Sequence, residues 1–333
     1  MNAVQRVTRR VDRLQQSHTP LAFLYGVVKK FGDDNAGVLA SNLAYSAFAA
    51  IFPLLLLLVT VLGMVLSHDP GAQQSVKDSA LAQFPVIGAQ LGHNIHALQR
   101  GSVVALVIAL AGLMWSSTGL AQAGLFTMAQ VWNLPSTERP SYPSRLARSL
   151  GFLAVMAAGV GVSTGLASAG TFGRKAVILA VGLEVLALAV NVGQYFLAFR
   201  VLTPAAVQTR SLWPGAVVGG VGWTVLQAAG GYLVSHDLRN ASEVYGTFAA
   251  VLGLLAWVYV GVQLSIYSAE INTVVAHHLW PRSLVQPPLT RADKQALTLQ
   301  AQQNRRRPEE HVEVSFSDPP ADGRVSTPSA STL

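Results

Sequence analysis

The chain contains no cysteine. That absence excludes disulfides, thiolate metal centres, iron–sulfur clusters and cysteine nucleophiles together. It assigns no compartment, because a cysteine-free chain survives in any redox environment. Charge is scarce as well. Asp, Glu, Lys and Arg make up 12% of 333 residues, against about 25% in an ordinary soluble domain. Histidines are few: His18, His68, His93, His96, His236, His277, His278 and His311. His93 and His96 stand three apart, but no third ligand accompanies them, and they read as solvated surface groups. Metal-dependent phosphodiester hydrolysis needs clustered His, Asp or Glu on an accessible surface, and the sequence offers no such cluster. No glycine-rich phosphate loop is present either, so ATP-driven transport by this chain alone is not expected. The expectation is therefore a chain that is not an enzyme and takes no cofactor.

What the chain has is apolar length. Hydrophobic residues make up 51% of it, and mean hydropathy is +0.40. A bilayer crossing needs roughly 20 mostly apolar residues. Six stretches meet that length, at about 36–66, 103–133, 147–170, 176–199, 212–235 and 245–277. The predicted fold class is an all-α membrane protein with six transmembrane helices, occupying residues 36–280 with an external loop at about 67–100. The lipid bilayer is its first partner.

The basic residues orient it. Eighteen Lys and Arg fall in the N-terminal arm, the 2–3 and 4–5 loops and the C-terminal tail; five fall on the opposite side. That bias puts both termini in the cytoplasm, and an even number of spans agrees. Topology accounts for the basic charge, so no nucleic acid partner is inferred. The first 35 residues are too polar, and the first apolar run too long, for a cleavable signal peptide.

The arm at 1–35 reads as amphipathic surface helices. Val4, Val7, Val11 and Leu14 recur at helical spacing, as do Leu21, Leu24, Val28 and Phe31. With basic residues opposite, such helices lie on the cytoplasmic membrane surface, where anionic lipid is a partner; packing on the protein's own loops is the competing reading. Asp33, Asp34 and Asn35 offer helix caps for span 1. Phe84, Ile87, Leu91, Ile95 and Leu98 mark a short amphipathic helix in the external loop. Residues 281–333, rich in Gln, Pro, Ser, Arg and Glu, read as a disordered cytoplasmic tail, with Arg305–Arg307 a solvated charge run that also suits anionic lipid. Gly161–Gly165 and Gly215–Gly219 are small-residue patterns that let helices approach closely.

Polar residues inside the spans need partners. On span 6, Tyr259, Gln263, Tyr267 and Glu270 fall within an arc of about 80° at 100° per residue. On span 4, Glu184, Asn191 and Tyr195 fall within about 40°. Glu184 lies roughly 12 Å in from the external end. Span 1 adds Ser41, Asn42, Tyr45 and Ser46, with Pro53 expected to kink the helix. No Lys or Arg lies at mid-depth to pair with the acids. Two readings stand. In one, spans 1, 4 and 6 line a polar pathway, with Glu184 and Glu270 handling substrate or protons. In the other, the same side chains hold the bundle together.

Three segments carry a resemblance. They are Ala40–Leu55, Trp115-Ser-Ser leading to Val131-Trp-Asn133, and Tyr245-Gly246 running through Trp257-Val-Tyr259 to Ala269-Glu270-Ile-Asn272. Together they resemble the YihY/BrkB family of bacterial inner-membrane proteins, over about residues 20–280. Ser268 stands where that family usually has Gly. The resemblance implies six spans, cytoplasmic termini and a bacterial inner-membrane location. It marks Tyr45, Pro53, Tyr245, Gly246, Glu270 and Asn272 as matching positions and supplies no reaction. The ribonuclease label the family once carried finds no support in these residues. The reading is a transporter or permease for an unidentified small substrate. The alternative is a non-transporting envelope scaffold or assembly factor acting through its cytoplasmic helices and tail.

Overall fold

A computed structural model describes residues 3–65, 103–135, 137, 141–172, 177–236 and 246–317. The expected external loop with its amphipathic helix, His93 and His96 lies outside the described residues. So does the tail beyond 317.

Among the described residues the fold is all-helical. Two short helices, α1 (Ala3–Ser17) and α2 (Thr19–Asp33), open the chain. Six long helices follow: α3 (Ala36–Val65), α4 (Val103–Val131), α5 (Tyr142–Phe172), α6 (Val177–Leu202), α7 (Trp213–His236) and α8 (Gly246–His277). A ninth helix, α9 (Arg291–Gln303), closes the described part. The long helices coincide with the six apolar stretches to within a few residues, because a long apolar segment can satisfy its backbone groups internally only as a helix. Four contain windows long and apolar enough to cross a membrane: Ala36–Pro53, Leu106–Val131, Val181–Leu202 and Val251–His277.

Each long helix packs on the next, and α8 returns to α3, so the six close into a ring. The helix α8 also touches α2 and α4, making it the hub of one end. There the main core gathers, from Ala36, Leu39 and Ala40 on α3, Leu125, Met128 and Val131 on α4, and Ile266 and Ala269 on α8. A second cluster joins Val27, Val274, Leu279 and Ala296, and so ties α2, α8 and α9 together.

Small residues set the closest approaches, as the glycine patterns predict. A Cβ on Gly215 would meet the Ser268 carbonyl and lie 2.6 Å from Asn272 Nδ2; one on Gly222 would lie 2.7 Å from Leu264. These positions weld α7 to α8. Gly161, in the other pattern, faces open space. Pro53 sits inside α3, where Gly112 of α4 comes alongside it.

Two expectations require correction. The segment after 280 is not disordered throughout. Residues 281–317 are placed, and α9 begins with a capping box in which Thr290 and Asp293 bond each other's backbone N–H. Polar composition made this segment look unable to fold, but its buried partners lie some 250 residues away. Asp33 and Asp34 do not cap span 1: their carboxylates go to Arg282 and Lys30.

Candidate functional site

The expected pathway of spans 1, 4 and 6 divides into three groups. Asn42, Tyr45 and Glu184 lie on exposed faces, Tyr45 being 71% accessible. Among the described residues, no hydrogen bond or ion pair joins these three to the other six residues of the expected pathway. A helical stripe fixes which residues share a face, not which neighbour that face meets. The second group is paired between or along helices. Asn191 donates to Thr224 on α7 at 2.9 Å. Tyr195 and Ser265 on α8 are 3.1 Å apart. Gln263 donates to the Tyr259 hydroxyl at 3.1 Å. Tyr267 stacks flat on Phe31 of α2, with ring centres 4.0 Å apart.

Glu270 forms the third group, and it is not alone. Its side chain is fully buried, and neither carboxylate oxygen accepts a hydrogen bond among the described residues. Lys30 of α2, also fully buried, brings its ammonium to 3.5 Å from Glu270 Oε2. The same ammonium pairs with Asp34 and donates to the Val131 carbonyl at 3.0 Å. Asp34 also accepts from Asn133 Nδ2 at 3.2 Å. One buried cation therefore serves two buried carboxylates. The lysine comes from the N-terminal arm, not from a span, which is why a survey of the spans finds no partner for Glu270. Two residues on, Asn272 accepts the Gly215 N–H at 2.6 Å, so the Glu-Ile-Asn segment both packs α7 and presents the acid.

Next to this site lies an ionic clasp that joins the two ends of the described chain. Arg282 is 2% exposed; it donates from Nε to Asp293 and through a terminal nitrogen to Asp33, each at 2.7 Å. Lys29 reaches Asp293 at 2.9 Å and the Ser283 carbonyl at 2.8 Å. Burial pushes the Asp293 carboxyl up, but hydrogen bonds from Ser283, Arg282 and Lys29 outweigh it and hold the group well below the usual carboxylate range.

Two cavities open at this end. The larger, about 740 Å³, lies against Trp132, Val207, Ser211, His277, Gln302 and His311. The smaller, about 260 Å³, is lined by Asp33, Asp34, Asn35, Gln130, Gln300, Gln303 and Asn304. Among the described residues, no group of three or more His, Asp or Glu could hold a metal ion. His277 meets Trp132 edge-on, and His278 stacks on Trp280.

Lys29, Lys30, Asp33, Asp34, Arg282 and Asp293 are the functional-site residues that reading the spans misses. The available signal was the juxtaposition of two lysines and two aspartates within about two helical turns of the start of a span.

The family model for virulence factor BrkB matches residues 27–291. That range includes Lys29, Lys30, Asp33, Asp34, Glu270 and Arg282 and ends two residues before Asp293. No curated protein matches, and no solved structure matches.

Proposed function

The chain belongs to the virulence factor BrkB family, and on that premise we propose that it is a six-span inner-membrane transporter or permease with both termini cytoplasmic. The observation that carries the reading is the paired opening at the hub of the bundle. A cavity of about 740 Å³ reaches His277 at the end of α8. Glu270, buried and without a hydrogen bond, lies seven residues earlier on that helix, about 10 Å along it. An acid kept at this depth is costly unless it has a use.

The topology has its own support. Four helices meet the length and hydropathy of a crossing, and α5 and α7, at 31 and 24 residues, span about 46 and 36 Å at 1.5 Å per residue. The clasp between α2 and the segment before α9 brings the two ends of the described chain together, which supports an even number of crossings. Exposed apolar residues on α1 and α2, among them Val11, Leu14, Leu21, Leu24 and Val28, suit helices resting on a lipid surface, with anionic headgroups meeting Arg9, Arg10 and Arg13. The substrate is a small solute, and the chain acts without chemical turnover of it.

The absence of native cysteine makes the test direct. Single cysteines at Asn191, Tyr259, Gln263 and Tyr267 are probed in intact cells and inverted vesicles with a membrane-impermeant thiol reagent. Labelling at these depths from one or both sides supports a transport route. Well-expressed variants that resist the reagent from both sides overturn it and leave the envelope scaffold.

A further inference from the structure

We infer that Glu270 is a proton-binding site, loaded from the solvent-facing cavity beside Asp34 by way of Lys30. The inference deepens the transport reading and rests on it only for the use to which the proton is put.

The charges do not balance as drawn. Lys30, Asp34 and Glu270 form one cluster with a single ammonium and two carboxyls, and the Lys30 and Glu270 side chains are fully buried. The titratable groups nearest it on α8 itself are Tyr267 and His277. Around it, α3 brings Ala36, α4 the Val131 backbone and α7 Gly215, while Lys29 and Asp33 of α2 pair with Asp293 and Arg282, two cations against two carboxylates, and so leave the cluster's own imbalance uncompensated. An uncompensated carboxylate in such a place takes up a proton in preference to staying charged. When two carboxyls share a site, one ionises readily and the other holds its proton.

Geometry says which is which. Asp34 receives the Lys30 ammonium and the Asn133 amide, donors that favour a carboxylate. Glu270 receives no hydrogen bond, and its nearest cation stands off at 3.5 Å. The donors are spent on Asp34, and Glu270 is the carboxyl left to bind the proton.

A route is also present. Asp34 borders the cavity of about 260 Å³, room for several waters at about 30 Å³ each. Loading adds one proton to a Glu270 carboxylate oxygen. The Lys30 ammonium gives it up, and the resulting amine regains one from cavity water through Asp34. Inward of Glu270, Tyr267, Gln263 and Tyr259 continue the stripe along α8.

Infrared spectroscopy on the full chain in lipid nanodiscs tests this without any transport assay. The expected result near neutral pH is a protonated-carboxyl stretch, shifted by exchange into D2O and amounting to one group per chain. It disappears in Glu270→Gln. It also disappears in Asp34→Asn, where Glu270 is still present but no longer competes for Lys30. It persists in Glu310→Gln, a tail substitution distant from the cluster. A stretch that survives either Glu270→Gln or Asp34→Asn overturns the proposal. Where a variant fails to fold, glutamate labelled with ¹³C at its carboxyl in the unmodified chain supplies the reading by NMR. One glutamate carboxyl protonated near neutral pH supports the site, and none overturns it. A protonated Glu270 in a protein that resists thiol labelling refutes transport while leaving the proton site standing.

Discussion

Replacing Asp293 by Ala removes an acceptor that serves six donors: Lys29 Nζ, Arg282 Nε, and the backbone N–H and hydroxyl of both Ser283 and Thr290. Taking one partner from a buried ion pair costs about 3–5 kcal/mol, because the other charge is left without compensation. Two features place this variant at the lower end. Arg282 keeps Asp33, whose side chain is 29% exposed, and the Lys29 side chain is 17% exposed and can turn to water. A loss of about 3 kcal/mol lowers the ratio of docked to undocked C-terminal segment roughly 150-fold. Trypsin reads that ratio at Arg291 and Lys294 when undocking is fast relative to cleavage. The expected result is cleavage there about two orders of magnitude faster, with the helical content of the long helices unchanged. The pH dependence follows from the carboxyl's depressed titration. Its contribution is complete above the ordinary carboxylate range and is lost only as the pH falls below that range. Wild-type cleavage, followed with an acid-tolerant protease where trypsin fails, is therefore flat from neutral to mildly acidic pH and rises in strong acid. The variant is fast throughout. Cleavage that rises less than a few-fold at neutral pH refutes the clasp.

Three further outcomes are expected. Gly215→Ala drives a Cβ into the Ser268 carbonyl and Asn272 and parts α7 from α8; it lowers stability by about 1–3 kcal/mol or more. Gly37→Ala, with open space around it, leaves the thermal midpoint unchanged or raised in the same detergent. A cysteine at Leu24, 59% exposed on α2, carries a polarity-sensitive dye that brominated lipid quenches; a dye that only an aqueous quencher reaches refutes the surface-helix reading.

The long helices were legible because each is an uninterrupted apolar segment, and apolar length alone dictates a helix. The start of α7 at Trp213-Pro214 has an equally local cause, since Pro at a first turn costs no hydrogen bond. The partners were not legible. Tyr259, Gln263 and Glu270 share one face of α8 by arithmetic, yet which helix meets that face depends on packing between segments far apart in the chain. Glu184 shows the limit, sharing a stripe with Asn191 but lying exposed where Asn191 is buried. The tail failed for a related reason. Its composition is that of a disordered segment, and its order comes from Arg282 and Asp293 meeting Asp33 and Lys29, a long-range pairing that periodicity does not register.

The clasp also orders events during synthesis. Lys29, Lys30, Asp33 and Asp34 leave the ribosome early, but Glu270 lies in the last long helix, and Arg282 and Asp293 are made only after every long helix is complete. Until then Lys29 and Asp33 lack the partners that dock the first hairpin. The last fifty residues thus act as a completion signal for the first thirty-five. A chain cut before residue 282 carries its defect at the opposite terminus, in a hairpin whose Lys29 and Asp33 have lost their partners.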